Sequence, residues 1–471
     1  MIRCFAILIL LSTSSCTGPS FFNPSSLVSR SSGIPKEANV REKKRVDRIC
    51  PSKFEIDPTK PLELIDLVDI ALMHNPDLKV SWEDAKIAAY QYASTESAYF
   101  PSFQFNGSWT KLSDVSVYDG QAFTSKYYVY GPSVAFDYLI FDCGVRKNEV
   151  EAAYQYVQYQ NWQQAQQIQA TLKEVTLDYY MVLAEKALVQ ARFEDLADAK
   201  ETLKAAKEKM LFGIIDESEL MQATTSYYQK KLNLTEEENA FEKAVINLLR
   251  SVGIAEKAAV KTIAFPMIDL KRFEFSEEIL LSQAEKLRPD LLASKANMLR
   301  SKANLSKTEA EILPQINLTG NGGQDWFTGG LTDNGDYTIT FNLSFPLFQG
   351  FYYKNQIVKA KKEVTRAQTE VDRSWNDIVA EVRTAYTNFV TSKEDYKSSM
   401  KYLDAAQKQF DSILARYKQG VNTIIDVFNA EAFLSDARAK FIQSQKDFFA
   451  SLIQIAFATG SMSNPQLEEK K

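Results

Sequence analysis

Hydrophobic and polar positions alternate strictly along Tyr337–Gly350, YTITFNLSFPLFQG. There Tyr337, Ile339, Phe341, Leu343 and Phe345 are interleaved with Thr338, Thr340, Asn342 and Ser344. A period of two sends the large side chains to one face of a strand and the hydroxyls and amides to the other. The same alternation occurs in 103–112, where Phe103, Phe105 and Trp109 alternate with Gln104, Asn106, Ser108 and Thr110. It recurs in 127–141, with Tyr128, Tyr130, Val134, Phe136, Tyr138 and Ile140 on one face, and from Gln315 onward. Four strands are predicted.

Elsewhere the period is helical. No proline or glycine interrupts 145–212 or 351–419, about 100 Å of helix each at roughly 1.5 Å per residue. Near the end of the first run Leu196, Ala199, Leu203, Ala206 and Met210 follow an a/d heptad, answered in the second by Leu403, Ala406, Phe410, Ile413 and Tyr417. Beyond each run a returning helix places one apolar residue every seventh position: Leu220, Tyr227, Leu234, Phe241 and Leu248, then Val427, Leu434, Phe441, Phe448 and Ile455. Sustained heptads predict two coiled-coil hairpins. Each return helix is about half as long as its partner, and segments 62–98 and 277–311, also helical in pattern, are predicted to stack end to end with it.

These elements form two copies of one unit. NPDL at 75–78 recurs as RPDL at 288–291, 213 positions on, and FPSFQFNG at 100–107 as LPQINLTG at 313–320. LIFDCG at 139–144 then matches FPLFQG at 345–350 with an offset of 206, and Gly213–Gly420 and Gly253–Gly460 are both 207 apart. The first copy carries about seven extra residues between Gly107 and Gly144, expected in an exposed loop. The organisation is a signal segment at 1–16, an extended segment at 17–61, a first repeat at 62–253, a linker at 254–276, a second repeat at 277–460 and a tail at 461–471.

The strands match a soluble sandwich with one wet face or a membrane barrel. The dense aromatics on one face and small polar groups on the other favour the barrel. Four strands do not close a membrane barrel, whose smallest forms have about eight, and an open edge in lipid leaves backbone groups unpaired. The barrel must be shared by at least two copies.

Composition narrows the chemistry. A net charge of −5 offers no basic footprint for nucleic acid. The sole histidine, His74, cannot build a zinc site and reads as a helix-end residue. With no phosphate loop, dinucleotide fingerprint or nucleophile elbow, an enzyme, such as a lipoprotein hydrolase, is disfavoured, and no cofactor is expected. The start MIRCFAILILLSTSSC reads as a secretory signal, too short to span a bilayer. Cys16 stands either at a lipoprotein cleavage box, imperfect because Thr13 replaces the usual Leu, or near an ordinary cleavage site. Cys50 and Cys143 are far apart, and pairing between them is left open.

In order and spacing these features resemble the outer-membrane efflux (TolC-like) protein family over roughly residues 60–460. The features are tandem repeats with two strands each, long helical hairpins, an FPxF-type strand entry and a G-x5-D/E tip. The resemblance implies a mainly α fold with membrane β. Coiled-coil hairpins would form a periplasmic tunnel, and four transmembrane strands per protomer would build a shared trimeric barrel. It implies a homotrimer in outer-membrane lipid, a periplasmic membrane-fusion adaptor and an inner-membrane pump as partners, and a passive export duct as function. It also implies that the tips at Gly213 and Gly420 form the constricted entrance. Glu219 and Asp426 would lie there, with Tyr417 in a gating network, Asn422 where a basic partner occurs and Asn429 where a second acid is frequent. A local reading competes, because Asp216-x-x-Glu219 and Thr423-x-x-Asp426 are capping-box spacings. The rival function is a periplasmic coiled-coil scaffold with the strands as a soluble cap.

Overall fold

The computed structural model describes residues 62–254, 273–328 and 333–462, together with positions 260, 265 and 270. The signal segment with Cys16, the segment 17–61 with Cys50, most of 254–276 and most of the tail lie outside these. The first repeat comprises α1 (Leu64–His74), α2 (Pro76–Glu96), β1 (Ser102–Tyr118), β2 (Gln121–Phe141), α3 (Val145–Leu211) and α4 (Glu217–Val252). The second repeats that order as α5 (Glu277–Leu287), α6 (Pro289–Ala310), β3 (Gln315–Phe327), β4 (Asn334–Ser344), α7 (Tyr352–Lys418) and α8 (Ile424–Ala458). Both long helices have 67 residues. Two compact units result among the described residues, one holding Glu83–Asn161 and Ala293–Asp372, the other Trp162–Leu292 together with residues 62–82 and 373–462.

In the first unit the strands form one antiparallel sheet in the order β1-β2-β3-β4. Register sets Phe103 opposite Phe136, Trp109 opposite Tyr130, Tyr130 opposite Trp326, and Leu318 opposite Phe341. Directly opposed residues share a face, so the apolar sides of all four strands coincide. Both strand-to-helix junctions turn through consecutive left-handed residues, Cys143 and Gly144 in the first and Gly350 and Phe351 in the second. The left-handed position common to both, Gly144 and Gly350, explains the glycine shared by LIFDCG and FPLFQG. Arg146 locks the first junction, donating to Asp142 at 3.0 Å and to the carbonyls of Ala98 and Ile140. Cys143 is a half-buried free thiol that donates to the Pro314 carbonyl.

One expectation fails here. The extra residues of the first repeat do not form a loop: β1 and β2 stay paired up to Tyr118–Gln121 and turn through Asp119 and Gly120, both at positive φ. An Asp-Gly pair is suited to a tight two-residue turn, so the ladder continues.

In the second unit, the repeat signatures meet in space. A Cβ on Gly253 would lie 3.1 Å from the Cα of Asn75, and one on Gly460 only 2.7 Å from the Leu287 carbonyl. Each return helix therefore ends against the start of the helix that opens inside NPDL or RPDL, at Pro76 or Pro289; the segments 62–98 and 277–311 are each broken there into two helices, of which the second follows on from the return helix. Asn75 donates to the Ser251 carbonyl at 2.8 Å, and Arg288 donates to the carbonyls of Phe457 and Ala458, capping the orphan acceptors of each helix end. The heptad cores differ. Val427, Leu434, Phe448 and Ile455 are buried with Ala406, Phe410 and Tyr417. Leu220, Tyr227 and Leu234 of the first hairpin are only half-buried, and Met210 is exposed. Small residues bring α7 and α8 together, with Ser392 bonded to Ser451 and Ser399 to Ser444.

Candidate functional site

The sheet presents a large apolar face with nothing on it. Phe103, Phe105 and Trp109 of β1 and Tyr337, Ile339, Phe341 and Leu343 of β4 are 61–83% exposed. The opposite face carries Gln104, Asn106 and Ser108 on β1 against Ala135, Ser133 and Gly131 on β2, then Thr319, Asn321 and Gly323 against Thr340, Thr338 and Asp336. β1 and β4 are the sheet's free edges. A sheet greasy on one side, polar on the other and open at both edges is stable neither in water nor in lipid until other chains complete it.

The hairpin tips lie in the second unit. Gly213 and Gly420 adopt φ of 74° and 81°, the left-handed C-cap that ends a helix with a Schellman-type turn. At the second tip, Asp426 accepts from the Thr423 amide and hydroxyl, each at 2.9 Å, and from Asn422 at 3.3 Å. Its own amide donates back to the Thr423 hydroxyl. This reciprocal capping box holds the Asp426 carboxyl below its usual range, chiefly through the Thr423 backbone bond. At the first tip only half of the box forms: Asp216 accepts from the Glu219 amide at 2.9 Å. Burial lowers the Lys209 pKa, with the Glu219 charge opposing, and raises that of Tyr417, with the Glu219 charge adding to it. Lys209 Nζ stands 3.7 Å from the centre of the Tyr417 ring. Tyr417 is 1% exposed, and its hydroxyl has no partner among the described residues. Asn429 is exposed on α8. Glu219, Lys209 and Tyr417 thus form one cluster, and Asp426 and Asn422 another.

A polar stripe escaped the sequence reading. Asp195, Thr202 and Lys209, seven residues apart on α3, are all buried. Arg438 donates to Asp195 at 2.7 Å and to Asp198 at 2.9 Å, Ser435 donates to Asp195 at 2.6 Å, and Thr202 donates to Glu431 at 2.6 Å. Burial pushes the Glu431 carboxyl up, with the Thr202 bond opposing. The signal was present as a polar heptad beside the apolar one.

Comparison with known proteins decides the family. The outer membrane efflux protein model matches residues 67–254 and 280–461. The chain belongs to that family. Protein CyaE of Bordetella pertussis is 20% identical over 427 residues, covering 89% of this chain and 88% of its own. The outer membrane efflux protein BepC of Brucella suis is 24% identical over 403 residues, 84% and 85% of the two chains. Among solved structures, the outer-membrane channel OprN superposes with a TM-score of 0.76 at 16% identity, over 84% of this chain and 90% of that one. This family member is an outer-membrane export channel of the efflux and secretion class, with its helical part in the periplasm.

Proposed function

We propose that three copies of the chain assemble into one passive duct. The β1 edge of each copy pairs with the β4 edge of the next, giving a closed barrel of twelve strands. The observation that carries this reading is the open sheet with one exposed apolar face. Strands β1 and β4 run in opposite directions, so this pairing continues the antiparallel ladder and repeats around a closed ring. The half-buried seam of α3 and α4 offers a similar surface to a neighbouring copy.

At the periplasmic tips, Glu219, Asp426, Tyr417, Asn422 and Asn429 form the entrance. The tips expose Leu211, Phe212, Ile214, Val421 and Ile425. Beside them a groove of about 810 Å³ is lined by four lysines, Lys200, Lys204, Lys207 and Lys418, and two acids, Glu201 and Glu208, with Tyr227 and Tyr228. An apolar tip next to a charged, aromatic groove suits docking of a membrane-fusion adaptor, which links the duct to an inner-membrane pump. No bond is made or broken in this reading, and the chain needs no cofactor.

The scaffold reading is disfavoured by family membership and by the apolar sheet face, which a soluble cap would have to hide. The test is direct. The mature chain extracted from membranes requires detergent, migrates as a heat-sensitive trimer and gives discrete conductance steps in planar bilayers. A monomer in plain buffer, without conductance, overturns the reading.

A further inference from the structure

We propose that the outer end of the sheet binds the headgroup of a phosphorylated glycolipid, through Trp109 and Tyr128 with Lys111 and Lys126. The proposal rests on the membrane-barrel reading and adds a ligand to it. Trp109 and Tyr128 stack with ring centres 5.0 Å apart and 22° between planes. Lys111 Nζ lies 5.5 Å from the centre of the same Tyr128 ring. Trp109 is 69% exposed, so the stack is an open platform.

Register places the cluster at a boundary. Trp109 lies opposite Tyr130, Lys111 opposite Tyr128, and Lys126 opposite Ser113. All therefore stand on the face that carries Phe103 and Phe105, the face turned to lipid in a barrel. The β2–β3 register runs to Val129–Phe327, with one further bond from the Thr328 amide to the Tyr128 carbonyl, and β1 and β2 stay paired as a ribbon from there to the turn at Asp119–Gly120. The lipid-facing side thus carries a cationic band, Lys111 and Lys126, between the aromatic rows and the smaller apolar residues Val115 and Val117 near the turn. On the other face of the ribbon the charge has the opposite sign, with Asp114 opposite Ser125.

The far end of each strand leads into helices of the periplasmic part, so the ribbon end faces the outer leaflet. A ring platform with the Lys111 ammonium over one ring, and Lys126 on the same face beside Ser113, two residues along from Lys111, fits a sugar ring bearing phosphate. The rings stack on the sugar, and the lysines form charge-assisted bonds to phosphate oxygens. An interfacial girdle without a built site would anchor the barrel equally in any lipid.

Full-length trimer in detergent is titrated with diphosphoryl lipid A, monophosphoryl lipid A and phosphatidylglycerol, and bound lipid is read by native mass spectrometry. Diphosphoryl lipid A is expected to bind ~10-fold more tightly than the other two, and the preference to vanish in Lys111→Ala/Lys126→Ala while single-channel conductance is kept. Equal affinities for the three lipids, or a preference unchanged in the double variant, overturns the site and leaves the duct intact. A wild-type chain that neither forms trimers nor conducts overturns the underlying barrel reading instead.

Discussion

Lys209 rests its ammonium group on the face of Tyr417, 3.7 Å from the ring centre, and so fastens the first hairpin to the second at their tips. The pairing joins residues from the two repeats that sequence spacing treats as unrelated. Burial lowers the Lys209 pKa and raises that of Tyr417, and desolvation strengthens a cation–π contact. The ring is therefore the working part of Tyr417. Tyr417→Phe is expected to unfold within about 1 kcal/mol of wild type, since it keeps the ring and removes a hydroxyl unpartnered among the described residues. Tyr417→Ala should lose about 3–5 kcal/mol. Thermal unfolding of the solubilised protein separates the two, and a Phe variant as weak as Ala would assign the hydroxyl a partner in a neighbouring copy.

Asp426 closes a capping box, and its carboxyl is held low chiefly by the Thr423 amide. A depressed folded pKa contributes stability that is present above the unfolded value and lost as pH falls through the folded one. Acidification below the ordinary carboxylate range should thus loosen the second tip and raise channel open probability. Asp426→Asn should blunt that response and weaken cation selectivity in planar bilayers. Conductance and selectivity identical to wild type would remove Asp426 from the pore.

Glu431 behaves in the opposite sense. Its pKa is raised by burial, so the stability it supports is complete at low pH and lost as pH rises through the folded value. Glu431→Gln keeps the Thr202 hydroxyl bond without a charge to desolvate. The melting temperature of this variant should fall less steeply than wild type as pH rises from the ordinary carboxylate range through the raised folded value. Parallel curves would show that Glu431 titrates alike in the folded and unfolded chain.

Arg438 serves three acids at once, Asp195, Asp198 and Glu194. Removing the guanidinium leaves Asp198 without its cation, while Asp195 keeps Arg192 and Ser435, so Arg438→Met should cost about 3 kcal/mol. Adding Asp195→Asn should recover part of the loss. Strict additivity in the double-mutant cycle, measured by denaturant unfolding, would contradict the contact.

Gly320 gives room to the Phe136 ring: a Cβ there would come within 2.0 Å of it. Gly320→Val should lower the heat stability of the trimer, and Phe136→Leu should relieve part of the loss. Gly107→Ala, with nothing within 4 Å, should be silent in the same gel assay.

The sequence by itself determined the local periods and therefore the elements. Alternation along 337–345 marked a two-faced strand, heptads marked the hairpins, and Gly213 and Gly420 marked the turns, because each pattern is written in neighbouring residues. It also determined the duplication, including NPDL with Gly253 and RPDL with Gly460. Only the tertiary structure decided why those signatures travel together. Asn75 and Ser251 are 176 positions apart yet form one bond, and nothing local marks either as the other's partner. The same holds for Asp195 and Arg438, and for Lys209 and Tyr417. Tertiary packing also chose between equal local options: two capping-box spacings were legible, but only Asp426 turns its carboxylate back onto its own helix start, while Glu219 contributes its amide alone. The seven extra residues lengthened a ladder because an Asp-Gly turn lets opposed backbones keep pairing.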